Sequence, residues 1–209
     1  ETYAVFGFDE RRIYLSTKPA KAIGDAGTWE NAEAILRNVL DGLGTSYTVK
    51  EGDGAFYGPK VDFCVLDAVG REWQLGTVQL DFSMPERLDL SYVDSDGAAS
   101  RPVMIHRAVL GSIERFIGIL LEHTSGDLPM WLSPCQVMLV TVTEKQNGYA
   151  QSVASALREA GLRVRADLRN EKLGFKIREA QQAKYPVVAI IGEREKEAGT
   201  VAPRLRGGE

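Results

Sequence analysis

Apolar and polar positions change rhythm twice along this chain. Residues 12–16 alternate polar and apolar side chains, the period-two signature of a half-buried strand, and residues 3–8 read as a strand before it. A helical period follows. Thr28 is placed to cap a helix from Trp29 to about Gly42, with Glu30 and Glu33 in its first turns, where carboxylates oppose the positive helix end. Strand patterns return at 47–50, 60–66 and 72–78, with a turn at 67–70; residues 81–93 are less regular. The apolar run PVMIHRAVLGSIERFIGIL, Pro102 to Leu120, predicts a strand that breaks at Gly111 and passes into a helix.

Past Leu128-Pro129-Met130-Trp131-Leu132-Ser133-Pro134 the pattern alternates strand and helix. Strands are predicted at 136–142, 163–167 and 186–191, helices at 146–160 and 173–183, and a last strand from Val201. The expected organisation is therefore two domains. Residues 1–132, with consecutive strands, form an α+β unit with an antiparallel sheet and helices. Residues 133–209 form a small α/β unit with a mixed, largely parallel sheet.

The chain has 209 residues, 44% of them apolar, enough for real cores. No apolar run approaches the roughly 18 residues that span a bilayer, and the N-terminus lacks the pattern of a signal peptide. No membrane partner is expected. Cys64 and Cys135 lie far apart in strand-like runs, where a small buried thiol is the ordinary reading, and a reducing, cytoplasmic setting fits them. The net charge of −4 is unevenly divided. Residues 1–132 hold 12 Lys+Arg against 20 Asp+Glu, or −8; residues 133–209 hold 13 against 9, or +4. A positive second domain suits a polyanionic partner, although chance asymmetry among solvated faces gives the same sum.

Three stretches carry candidate chemistry. The loop EGDGAFYGPK, residues 51–60, has too many glycines for a helix or strand and must run close to something; Tyr57 and Lys60 then project at the mouth of the next strand. In WQLGTVQLDF, residues 73–82, Gln74 and Gln79 interrupt an apolar strand, and buried amides need partners. A regular strand would put Gln74, Gly76 and Val78 on one face, unless Gly76 bulges it. In the third stretch Arg115 reads as a cation in an apolar neighbourhood, at the start of a buried helix, and points to an anionic ligand such as a nucleotide phosphate, or to an adenine face. His106 stands alone on an apolar strand. Such a residue is more often a satisfied core histidine, and the chain offers no complete zinc site around it.

Together, in this order and spacing, EGDGAFYGPKVDF, WQLGTVQLDFSMP, PVMIHRAVLGSIERFIGIL and DLRNEKLGFKIRE resemble a bacterial-type threonyl-tRNA synthetase over essentially the whole chain. The resemblance implies the latter part of a class II synthetase catalytic domain containing motif 3, followed by most of an anticodon-binding domain. It implies a fragment of a longer, homodimeric enzyme that activates L-threonine with ATP and Mg²⁺ and transfers it to tRNA(Thr), the fragment alone being inactive.

Carried over by position, Arg115 matches the motif 3 arginine that stacks on adenine, and Gln74 and Thr77 match residues near the adenylate. Tyr57, Lys60, Gln79 and Ser112 match the threonine site. His106 matches one of three Zn²⁺ ligands, the other two lying in the family's upstream region. Asn170, Lys172, Arg178, Glu195 and Arg204 match positions that read anticodon bases. The implied zinc answers a physical need: threonine and valine are nearly isosteric, and an apolar pocket alone cannot separate them. Two other readings share the motifs, a synthetase-like paralogue that binds RNA without catalysis and a prolyl- or histidyl-type enzyme. The His106 context and WQLGTVQLDF argue against the second of these.

Overall fold

The computed structural model describes residues 2–207 and divides them into two compact units, one ending at His123 and the other beginning at Thr124. The first unit runs α1 (Thr2–Val5), β1 (Arg11–Ser16), α2 (Ala26–Gly42), β2 (Thr48–Lys50), β3 (Lys60–Leu66), β4 (Glu72–Asp81), α3 (Ser83–Arg87), β5 (Tyr92–Val93), β6 (Ala99–Ser100), β7 (Met104–Ala108) and α4 (Ile113–His123). Its five-stranded sheet has the order β2-β1-β3-β4-β7 and is antiparallel except for the β1–β2 pair. Helix α2 covers one face: Leu36 and Leu40 pack with Leu15 and Val61, flanked by Ile13, Phe63 and Leu80. The opposite face of the central strands carries the polar residues singled out above.

Several local expectations change. Residues 3–8 open with a helical turn, not a strand. The Tyr3 hydroxyl donates to the Val109 carbonyl, and Gly7, at φ 82°, ends the turn. Helix α2 starts earlier than expected because its cap is Asp25, whose carboxylate accepts from the Thr28 amide and hydroxyl. Strand β4 runs on to Asp81 because β7 pairs with its second half.

The second unit runs β8 (Val137–Thr141), a 3₁₀ turn (Glu144–Gln146), α5 (Asn147–Glu159), β9 (Val164–Asp167), α6 (Leu173–Gln182), β10 (Val187–Ile191), α7 (Glu193–Ala198) and β11 (Ala202–Leu205). The sheet order is β11-β10-β8-β9, parallel except at the β10–β11 edge. Helix α5 packs Ala150 and Ala154 on Val137, Leu139, Val164, Ala189 and Ile191; α6 packs Ala180 on Val140 and Val188 across the other face.

The compact units part at 123/124, ahead of the expected 132/133, because backbone carbonyls of the proline-flanked segment are held by the second unit's side chains. Arg163 donates to Ser133 and Trp131, Gln136 to Met130, and Arg206 to Leu128.

Candidate active site

The polar residues of three distant stretches meet on the sheet face opposite α2. In the β3–β4 ladder Lys60 faces Gln79, Asp62 faces Thr77 and Cys64 faces Gln74; in the β4–β7 ladder Gln79 faces His106. Side chains alternate along a strand, so Lys60 and Asp62 share a side with Thr77, Gln79 and His106. Gln74 has the wrong parity to join Thr77 and Gln79, and a bulge corrects it: the register shifts between Phe63 and Cys64, leaving Leu75 as the extra residue. Gln74 therefore groups with Thr77 and Gln79, not with Gly76 and Val78. Gly76 is needed beside the bulge because a Cβ there would lie 2.4 Å from the Tyr3 hydroxyl.

The glycine loop reaches the same face. Its close neighbours are the protein's own backbone: a Cβ on Gly58 would lie 1.9 Å from the Leu80 carbonyl oxygen, and one on Gly54 2.4 Å from that of Thr17. That docking carries Tyr57 over the sheet, where its hydroxyl donates to Gln79 Oε1 at 3.1 Å and its ring lies edge-on to His106, 6.2 Å between centroids.

Two carboxylates organise the face. Asp62, 4% exposed, accepts from Lys60 Nζ through Oδ2 and from Gln74 Nε2 through Oδ1, both at 2.7 Å. Asp81, 2% exposed, accepts from His106 Nε2 at 2.8 Å and from the amides of Ser83 and Met84. Burial works to raise the Asp81 pKa, but the bonds from His106 and the two amides outweigh it and hold the carboxyl below the ordinary range. The bond also fixes the ring of His106, whose side chain is 43% exposed, and leaves Nδ1 as the nitrogen not committed to Asp81. Carboxylate-oriented imidazoles are typical metal ligands, so His106 suits the role of one ligand. Among the described residues no cluster of three His, Cys, Asp or Glu completes a metal site.

On the same face the Thr77 hydroxyl oxygen is buried and has no hydrogen-bond partner among the described residues.

Arg115 differs from its expectation. It is exposed on α4, because Phe116, Ile119 and Leu120 form that helix's buried face and Arg115 falls outside it. Its guanidinium carbon lies 6.0 Å from the Trp73 ring centroid, next to Gln74 in sequence. The turn into α4 is seated on the bulge: Gly111 has φ 63°, and a Cβ there would lie 2.8 Å from the Leu75 carbonyl oxygen. Ser112 opens α4, its hydroxyl accepting from the Arg115 amide and donating to Glu114.

In the second unit Asn170 and Lys172 lie in the loop from β9 to α6, and Arg178 is exposed on α6. Arg204 sits on β11 opposite Val188 and lines a cavity of about 390 Å³ with Gln181, Tyr185 and Arg206. Glu195 is turned inward on its own helix, accepting from the Gly192 amide at 2.8 Å.

A family model for the tRNA synthetase class II core domain (G, H, P, S and T) matches residues 1–124, more than half of the chain. The chain belongs to the class II tRNA synthetases. An anticodon-binding-domain model matches residues 136–209. The threonine–tRNA ligases of Pelobacter propionicus and Syntrophotalea carbinolica are 56% and 54% identical over all 209 residues, which amount to 33% of each relative. The chain thus spans about a third of the length of these curated relatives. A crystal structure described as the RNA binding domain of threonyl-tRNA synthetase from Cryptosporidium parvum superposes with a TM-score of 0.93 at 42% identity, covering 99% of this chain and 52% of that one.

Sequence reasoning missed two residues of this class II synthetase face, Asp62 and Asp81. Asp62 sits inside a strand pattern as an ordinary acidic position, and Asp81 opens the less regular segment after the next strand. Asp62 lies two residues from Lys60, the same-face spacing of a strand, and that was the available signal. Asp81 carries the same spacing, two residues past Gln79, but its side-chain partner His106 is 25 residues away.

Proposed function

We propose that the chain carries the amino-acid and nucleotide face, and the anticodon-reading end, of a threonine–tRNA ligase. The whole protein activates L-threonine with ATP and Mg²⁺, transfers it to tRNA(Thr), and works as a homodimer in the cytoplasm. The observation that carries this reading is the convergence of Lys60, Gln74, Thr77, Gln79 and His106 on one sheet face, beside a buried hydroxyl that lacks a partner. Identity of 54–56% to threonine–tRNA ligases along the whole length supports the choice of amino acid.

In this reading Tyr57, Lys60, Gln79 and His106 surround the threonine, with Ser112 contributing from the start of α4. Gln74 and Thr77 meet the adenylate, and Arg115 extends over the adenine. Forming the adenylate displaces pyrophosphate, so cationic groups that follow this charge assist the step and no side-chain nucleophile is required. His106 serves as one ligand of a Zn²⁺ ion whose remaining ligands are not among the described residues. When bound, that ion supplies a Lewis-acidic centre able to take the substrate hydroxyl, which valine lacks. Asn170, Lys172, Arg178 and Arg204 contact the anticodon, and Glu195 holds the start of α7 through the Gly192 amide.

The test uses a protein of the relatives' full length bearing these residues. His106→Ala is expected to lose bound zinc and, with it, the preference for threonine over valine in amino-acid-dependent ATP–pyrophosphate exchange. Stoichiometric zinc with unchanged preference contradicts the assignment.

A further inference from the structure

We propose that Asp62 is a positioning residue that holds the two ends of the site in register by gripping Lys60 and Gln74 with its two oxygens. The inference rests on the synthetase reading above, in which Lys60 faces the amino acid and Gln74 the nucleotide.

Asp62 is nearly sealed from solvent, while its two partners reach outward: Gln74 is exposed and the Lys60 side chain is 17% exposed. Long side chains at a surface sample many rotamers, and each is restrained here by a 2.7 Å bond to the same buried anchor. The Lys60 ammonium keeps further donor directions, with Asp53 the next carboxylate at 3.9 Å.

The consequence for Gln74 is chemical as well as geometric. A carboxylate only accepts, so the nitrogen of the Gln74 amide must face Asp62, and its carbonyl oxygen faces the ligand. Asp62 thereby sets Gln74 as an acceptor, matched to an N–H or O–H donor on the nucleotide such as an adenine amino group or a ribose hydroxyl. An asparagine at position 62 would reverse this. Its oxygen would go to the Lys60 cation and its amide nitrogen to Gln74, whose own amide must then rotate and present a donor to the ligand.

Exchanging the amide and the carboxylate tests the inference. In the full-length protein, Asp62→Asn is expected to raise KM for ATP about tenfold, as for one mispaired hydrogen bond. The double variant Asp62→Asn/Gln74→Glu keeps the net charge and restores an outward acceptor, and it should recover most of that loss. A merely structural role for Asp62 predicts no recovery by Gln74→Glu, and that result overturns the proposal, as does an unchanged KM in Asp62→Asn.

A readout on the 209-residue chain itself separates this inference from the functional reading. NMR of the Gln74 side-chain amide should show one proton shifted downfield and protected from water exchange, with both effects lost in Asp62→Ala. Loss of both supports the anchoring, even if the full-length protein shows no threonine-dependent exchange and the synthetase reading fails. Resonances indifferent to Asp62→Ala overturn it.

Discussion

Asp81 and Asp62 show how single residues act through others on this face. Asp81 is almost completely buried, and its carboxylate accepts from the His106 ring and from two main-chain amides. Because its folded pKa lies below the unfolded value, the stabilisation it provides is fully present above the ordinary carboxylate pKa of about 4. It is lost as pH falls through the depressed folded value. Urea midpoints compared at pH 7 and pH 3 should therefore fall more steeply for the parent chain than for Asp81→Asn; equal slopes would contradict the arrangement. Cys64 behaves oppositely. Burial first, and the nearby Glu72 second, push its thiol up to about 12, and Cys135 is also raised by burial. Neither thiol should be alkylated by iodoacetamide in the folded chain at pH 7.5, whereas both should react after denaturation, as mass spectrometry would show.

Residue identities on the face were largely legible from sequence because motif spacing carries them, but side-chain environments were not. Arg115 read as a cation within an apolar run. The part of the run that holds it is helix α4, however, whose buried face is set by Phe116, Ile119 and Leu120, leaving the arginine outside. Gln74 read as facing with Gly76 unless Gly76 bulged the strand; the extra residue is Leu75, because which residue of a strand bulges is decided by the neighbouring strand and not by the local pattern.

Among the elements, strands β3, β8 and β10 and helices α2, α5 and α6 were readable from periodicity to within a few residues. The opening turn and α7 were not. Residues 2–5 are too few to show a helical period, and the turn is fixed by the distant Val109 carbonyl. Residues 193–198 are mostly charged, so no apolar stripe marks them as a helix; its start is capped by Glu195 on Gly192 and its end set by Gly199 at φ 69°. The Asp25 cap gives a prediction at this scale: Asp25→Ala should lower the melting temperature followed by circular dichroism more than Thr28→Ala does. The glycine loop gives another. Gly58→Ala forces a Cβ against the Leu80 carbonyl, so it should cost about 1–3 kcal/mol in urea denaturation and displace Tyr57 from Gln79. Gly42→Ala, where a Cβ meets nothing within 4 Å, should cost far less.

For the whole molecule, charge and fold divide the work. The first 132 residues carry a net −8 and the remainder +4, and the positive part contains the segment Arg158–Lys184 with eight Lys or Arg against four acidic residues. If the second unit holds an anticodon, affinity for tRNA should fall steeply with salt, each neutralised phosphate of a single-stranded segment adding about −0.7 to the log–log slope. Filter binding between 50 and 200 mM salt measures that slope. Arg204→Ala should weaken binding with little change in slope if the residue touches a base edge, and with a change of about one unit if it touches a phosphate. No described helix is long and apolar enough to cross a membrane.

The first unit presents two candidate faces for a small ligand. One is the polar face of Tyr57, Lys60, Gln74, Thr77, Gln79 and His106. The other, on the α2 side, is a cavity of about 610 Å³ lined by Ile13, Phe63, Val78 and Arg107. A crystal structure with a non-hydrolysable threonyl-adenylate analogue decides between them. The threonyl group should lie among Tyr57, Gln79 and His106, with the adenine extending past Gln74 toward Arg115. Density for the analogue in the α2-side cavity, with the polar face unoccupied, would contradict the account.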